Sequence, residues 1–164
     1  FVEGRLSSMS AKAPVDAKVY NALTGRATLR GIWMTESRFD MSPQALDFDD
    51  GPLNHTLRPY EVEVTVEEGG VIKGFVRFEA ISRRRRKRVV HVGARYFVSY
   101  HVEGGCDQHM AELFMDRVGK LAAYPYFRAL VASLVGQAGA QVPTLPILTF
   151  QPRSIRYASD MAPE

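Results

Sequence analysis

Apolar and polar residues alternate without interruption from residue 60 to residue 67. Val62, Val64 and Val66 fall on one face, and glutamate and threonine occupy the other. A period of two residues is typical of a strand that buries one face. A Glu-Gly-Gly turn follows, and a second alternating run covers 71–81. The two runs therefore predict a β-hairpin.

Two further segments have strand character. Residues 89–103 alternate over their whole length, and a Gly-Gly pair ends them. Residues 28–41 carry apolar residues on both parities, which favours a strand partly buried on both faces. Because short connections join the four runs, we predict a four-stranded antiparallel sheet.

Helical spacing replaces the alternation after residue 106. Asp107 can cap a short helix, which Gly119 is expected to end. A longer helix is predicted from about Pro125, with Tyr124 extended before it. The fold class is therefore α+β: a four-stranded antiparallel sheet followed by a short helix and a longer helix packed on it. The apolar stripe of the longer helix consists of Phe127, Leu130, Val131, Leu134 and Val135.

The longer helix is weakly polar on its other side as well, where Ala, Ser and Gly permit close approach of another surface. We interpret it as buried on two sides, with the second side in an oligomer contact. The alternative is a central helix in a monomer core. The candidate interface residues are Tyr126, Phe127, Leu130 and Leu134.

The segment 142–150 is strongly apolar, yet it contains Pro143 and Pro146, and Pro152 follows it. Prolines at this density exclude a helix and restrict pairing in a sheet. Such a stiff segment either packs down on the core or forms an open apolar wall. We favour the wall.

The order of these elements resembles the SecB family of bacterial chaperones over roughly residues 27–150. Four antiparallel strands and a short helix precede a helix that opens Tyr124-Pro125-Tyr126-Phe127-Arg128. A Pro-x-Leu-Pro loop then follows, similar to the crossover loop of that family.

The resemblance implies a cytoplasmic, ATP-independent holdase that is not an enzyme and uses no cofactor. Its protomers would pair through sheet edges, and its dimers through the long helices, into a homotetramer. Unfolded or pre-folded protein clients would bind as extended chains in apolar grooves between the sheet and the crossover loop. The candidate client-binding residues are Trp33, Val142, Leu145, Pro146, Ile147, Leu148 and Phe150.

Two departures from the export-type members shape the expected partners. Few and mostly polar residues follow Phe150, where export-type members carry a second long helix. Export-type members also present an acidic surface to the SecA motor, whereas this chain carries a basic run, so docking on SecA by the same charges is not expected. The short tail is similar to SecB-like chaperones of toxin–antitoxin pairs, which makes an antitoxin a candidate client beside exported precursors.

The basic run is concentrated at one predicted hairpin loop. The formal net charge is +3, and removing these six cations would leave −3. A run of this kind is commonly a solvated tip, but it can also steer acidic partners. Contact with nucleic-acid phosphates is the alternative function, ranked below partner steering. The run consists of Arg83, Arg84, Arg85, Arg86, Lys87 and Arg88.

The remaining features suggest no catalytic or metal site. Cys106 and His109 are close in sequence, but zinc needs about four convergent ligands, and Asp107 is already assigned to a cap. A single cysteine favours a reducing cytoplasm, and no apolar run is long enough to insert in a membrane. We divide the chain into a flexible arm (1–26), a SecB-like domain (27–150) and a tail (151–164). The leader before Met9 is interpreted as an addition to the natural chain.

Overall fold

The computed structural model describes residues 16–47, 53–59, 62–140 and 142–146. One helix precedes the strands of the described chain, and two further helices follow them. The elements are α1 (Ala17–Arg26), β1 (Ala27–Met41), a 3-10 turn (Pro43–Leu46), β2 (Leu53–Pro59), β3 (Glu63–Glu67), β4 (Val71–Arg84), β5 (Lys87–Val102), α2 (Gln108–Phe114) and α3 (Lys120–Gln137).

All described strands belong to one antiparallel sheet with the order β1-β5-β4-β2. Strand β3 also pairs with β4. Strand β2 pairs with residues 78–84 of β4 and β3 with residues 71–75, so the two lie end to end along one edge. The predicted α+β class with an antiparallel sheet is confirmed, but the described part of the sheet has five strands rather than the predicted four. Strand β2 was missed because its sequence has no alternation and ends in Pro59.

The predicted arm (1–26) contains a helix in its second half. Asp16 caps α1, and its carboxylate accepts a hydrogen bond from the Lys18 backbone N–H at 2.8 Å. Tyr20 and Leu23 of this helix are buried. A helix that buries just two side chains leaves little periodicity in the sequence, which explains the error. Residues 1–15 lie outside the described residues.

Asp107 caps α2 as predicted, because its carboxylate accepts from the Met110 N–H at 2.8 Å. Gly119, however, does not end the helical run. A π-helical turn at Met115–Gly119 joins α2 directly to α3, and Tyr124 and Pro125 lie inside α3. A Cβ atom at Gly119 would lie 2.2 Å from the Met115 sulfur. This glycine therefore serves close packing rather than termination.

The core lies between one face of the sheet and the helices. Phe78 of β4 stacks on Phe127 of α3 with 5.3 Å between ring centroids, and Tyr124 meets Phe78 edge-on at 5.7 Å. Tyr100 of β5 meets Phe114 of α2 at 4.9 Å. Phe127 is fully buried within the protomer, so its assignment to an oligomer interface is wrong.

Substitution of Phe127 by Ala is expected to lower the free energy of unfolding by about 3–5 kcal/mol, because it leaves a cavity beneath α3. The matched control is Tyr126→Ala, since Tyr126 is the next residue and is 55% exposed. Urea unfolding followed by circular dichroism measures both. Equal losses for the two variants would contradict the placement of Phe127.

Candidate functional site

The loop after α3 turns back along the helix. The Ala140 N–H donates to the Val135 carbonyl at 3.2 Å, which reverses the chain direction. Leu145 is buried in the core, and the Tyr124 hydroxyl donates to the Pro146 carbonyl at 2.5 Å. The loop is thus anchored to α3 at both ends.

An open groove lies between this loop and α3. It has a volume of about 440 Å³ and a mostly apolar surface. Its volume falls within the usual range for binding pockets in proteins. Arg128 is the charged residue among the described lining residues. The groove is lined by Tyr124, Pro125, Arg128, Ala129, Ala132 and Thr144.

Tyr124 holds the groove together as a hydrogen-bond donor. Burial raises the pKa of Tyr124, and the nearby Arg128 offsets part of this increase. A tyrosine ordinarily loses its proton near pH 10. The hydroxyl therefore remains protonated at neutral pH and can donate to Pro146 throughout the physiological range.

The predicted wall residues take different roles in the structure. Leu145 is an anchor buried in the core, so its assignment as an open wall is wrong, while Val142 is half-buried and Pro146 is exposed. Ile147, Leu148 and Phe150 lie outside the described residues. Helix α3 contributes most of the groove surface instead, through Pro125 and the small residues Ala129 and Ala132. Their spacing was visible in the sequence, but it was assigned to an oligomer contact.

Trp33 lies on the other face of the sheet from the groove. Its ring stands 5.7 Å from Phe97, which stands 5.3 Å from Phe75, and the row crosses β1, β5 and β4. Phe78, three residues beyond Phe75, points to the opposite face and contacts α3. Trp33 therefore does not share a groove with the loop, and its assignment as a client-binding residue stays a prediction. Gly31 makes room for its ring, since a Cβ atom there would lie 2.4 Å from it.

The edge strand β1 is unusually apolar for an exposed strand. Leu29, Trp33 and Met34 are each about half exposed, at 44%, 51% and 50%. The far edge of the sheet is better protected, because Gln108 of α2 donates its side-chain N–H to the Val64 carbonyl of β3 at 2.9 Å. No described strand pairs with the outer side of β1, and an exposed edge with apolar side chains is a template for pairing with another strand.

Paired charges cover the sheet face that carries Trp33. Arg95 stacks over Phe75 at 4.0 Å and contacts Glu63 at 2.9 Å and Glu36 at 3.3 Å. Further along, His91 lies 3.4 Å from Asp40, and a hydrogen bond from Arg38 lowers the pKa of Asp40. Since these groups neutralise one another, this face presents aromatic surface without a strong net field.

The basic run is mostly strand rather than loop. Arg83 and Arg84 end β4, Lys87 and Arg88 begin β5, and the turn between them is two residues long. Arg84 is buried and donates from Nη1 to the backbone carbonyls of Gln44 and Asp47, so its predicted steering role is wrong. Arg83 is half-buried. The four residues that follow Arg84 are exposed.

Of the residues predicted to form an oligomer interface, those on the outward side of α3 remain accessible in the protomer. Tyr126 is exposed, whereas Leu130 and Leu134 are partly buried against the core. Leu121, which precedes Tyr126 by about one and a half helical turns, is also exposed at the helix surface. The outward surface of α3 therefore combines isolated large apolar side chains with small ones.

Chemistry of other kinds has little support in the described residues. Within them, no three His, Cys, Asp or Glu side chains converge as metal ligands. Burial and the neighbouring Asp107 raise the pKa of the Cys106 thiol, which disfavours the nucleophilic thiolate. No helix in the described part of the chain is both long and apolar enough to cross a membrane.

Comparison with solved structures identifies a SecB-like fold. A SecB-like chaperone of Mycobacterium tuberculosis, solved in complex with a ChAD peptide from an antitoxin, matches with a TM-score of 0.66 at 19% identity. The match covers 81% of this chain and 98% of the other. The resemblance recognised in the sequence is thus confirmed at the level of the fold.

A second solved structure is more distant. It is a protein of unknown function from Streptococcus agalactiae, with a TM-score of 0.41 and 16% identity over 76% of this chain and 97% of the other. No protein-family model matches the chain, and no curated protein matches it in sequence.

Replacing Tyr124 by Phe is expected to release the loop from α3, because the Pro146 carbonyl loses its donor. Loss of such a hydrogen bond changes local stability by about 0.5–1.5 kcal/mol. Hydrogen exchange at the amides of Val142, Thr144 and Leu145 should accelerate, while exchange in β4 stays unchanged. Unchanged exchange in the loop would contradict the anchoring role of Tyr124.

Proposed function

We propose that this protein is an ATP-independent chaperone that binds extended apolar segments of non-native polypeptides. The binding site is the groove between α3 and the loop 142–146. One observation carries the proposal: an open apolar groove of about 440 Å³ whose loop wall is tied to the helix by the Tyr124–Pro146 hydrogen bond.

The lining explains how such a site binds many sequences. Ala129, Ala132 and Pro125 offer apolar surface without side-chain hydrogen-bond donors, so they impose little geometry on a ligand. Burial of apolar surface contributes about 25 cal/mol per Å², and ordering of the client opposes it. Several weak contacts along one extended chain therefore give useful affinity with low sequence specificity.

The comparisons support the same class of function. The M. tuberculosis SecB-like chaperone is seen with an antitoxin peptide. We infer that the clients of the present protein also include an aggregation-prone antitoxin, and that SecA docking and export are secondary. On this proposal the protein acts in the cytoplasm, performs no catalysis and needs no cofactor.

We further propose that the protein assembles as a homotetramer, a dimer of dimers. Two copies of β1 would extend the sheet across the uncovered edge and bury Leu29 and Met34. Dimers would then meet through the outward surface of α3 around Tyr126. Low polarity around most of the α3 circumference is consistent with a helix covered on two sides.

Ala132→Trp is expected to fill the groove and to abolish most protection of a client against aggregation. The measurement is light scattering of chemically unfolded citrate synthase diluted into buffer without ATP. The control is Ala22→Trp, because Ala22 is exposed on α1 and does not line the groove.

Wild-type protein at one tetramer per client should suppress scattering, and Ala22→Trp should behave like wild type. No suppression by the wild type would refute the chaperone function. Equal loss in both tryptophan variants would instead remove the groove as the binding site.

Met34→Lys is expected to break the strand-edge contact and Tyr126→Asp the helix contact, because each would place a charge against apolar surface. Each single variant should yield dimers and the double variant monomers, as measured by size-exclusion chromatography with light scattering. Ala22→Asp on the exposed surface of α1 is the control and should remain tetrameric. A monomeric wild type would contradict the assembly.

A further inference from the structure

We propose that the exposed cations of the β4–β5 turn form a second client site, specific for acidic polypeptide segments. This proposal rests on the proposed function, since it assigns the clients that the groove retains. The acidic-segment site consists of Arg85, Arg86, Lys87 and Arg88, all exposed.

The acidic-segment site is locally unfavourable for folding. Arg83 lies directly opposite Arg88 in the ladder, and Arg84 lies opposite Lys87. Like charges at directly opposed positions destabilise a sheet. The chain has two such pairs at one end of the hairpin. These charges would favour the binding of an anion, whereas they do not help the hairpin to fold.

The turn residue adds to this local strain. Arg85 has a φ of 54°, and it is the one non-glycine residue with positive φ in the described part of the chain. Two-residue hairpin turns favour Asn or Gly at such positions. Arginine has a Cβ atom that disfavours this region. Residues held in such conformations concentrate at functional sites.

The direction of α3 connects the groove to this site. Met115, in the π-helical turn before α3, packs against Gly74, while Phe127 packs against Phe78. The helix therefore advances along β4 toward the turn. Arg85 lies seven positions beyond Phe78, which corresponds to roughly 20–25 Å of strand. About six to eight extended residues of a client bridge that distance.

A short acidic peptide fits this site better than nucleic acid does. Without the six cations of the basic run, the remaining chain has a formal net charge of −3, which repels a long polyanion. The turn also does not project as a ribbon, because Leu53 of β2 pairs with Arg84. A ribbon that reads a DNA groove must extend into it. The exposed aromatic row of Trp33, Phe97 and Phe75 lies ten positions from Arg85 along β4, and the closer Phe78 is buried under α3.

The test uses three synthetic peptides that share one apolar ten-residue segment. A seven-residue Gly-Ser spacer links this segment to four Asp, four Lys or four Ser residues. Wild-type protein should bind the Asp peptide about tenfold more tightly than the Lys peptide at low salt, as measured by fluorescence anisotropy. The preference should fall with added salt and with a spacer of one residue.

Two double variants distinguish binding at the acidic-segment site from attraction by the net charge of the protein. Arg86→Ser with Lys87→Ser should abolish the preference for Asp and leave binding of the Ser peptide unchanged. Lys18→Ser with Arg58→Ser removes two other exposed cations and should retain the preference. The first variant should also melt at a higher temperature, because the Arg84–Lys87 repulsion is removed; a lower melting temperature would overturn the argument from local instability.

The outcomes distinguish this site from the groove. Weak binding of the Ser peptide with strong binding of the Asp peptide would refute the groove and keep the acidic-segment site. Equal affinity for all three peptides would keep the groove and refute this site. Tighter binding of a 20-nucleotide single-stranded RNA than of the Asp peptide, lost in the first variant, would refute it in favour of nucleic acid.

Discussion

The stacking of Phe127 on Phe78 determines how the helical layer lies on the sheet. Both rings are fully buried, and Tyr124 joins them from one turn earlier in α3. Because Tyr124 touches Phe78 through its ring and Pro146 through its hydroxyl, the position of the loop follows from the position of the helix. The groove is thus an outcome of core packing, and its two walls cannot move independently.

The sequence predicted the sheet well because strand periodicity is a local property. The hairpin β4–β5 and the valine alternation of β3 appear directly in the order of residues. The Asp107 cap was also local, and it was confirmed. Strand β2 and helix α1 were missed because each depends on tertiary contacts: β2 pairs with β4 despite a polar sequence, and α1 buries just Tyr20 and Leu23.

The functional residues were harder to predict, because their roles depend on which face of the sheet or of α3 each side chain occupies in the folded protein. Trp33 and Leu145 looked alike as apolar residues outside regular alternation, yet one covers an open sheet face and the other lies in the core. Gly119 and Pro125 both suggested a helix boundary, and a π-helical turn carries the helix through it. Period and composition do not reveal that a glycine is accommodating a sulfur atom from the preceding turn.

The side chain of Met115 contacts two parts of the chain that are distant in sequence, namely β4 and the start of α3. Met115 fills the space left by the absent side chains of Gly74 in β4 and Gly119 at the start of α3, and a Cβ at either position would approach it within 3.0 Å. A larger residue at Gly119 requires a smaller residue at position 115, whereas one at Gly74 would also meet the Glu63 carbonyl oxygen, which lies 2.9 Å from the Cβ position. In related chains positions 115 and 119 should therefore covary, while a glycine is expected to persist at position 74.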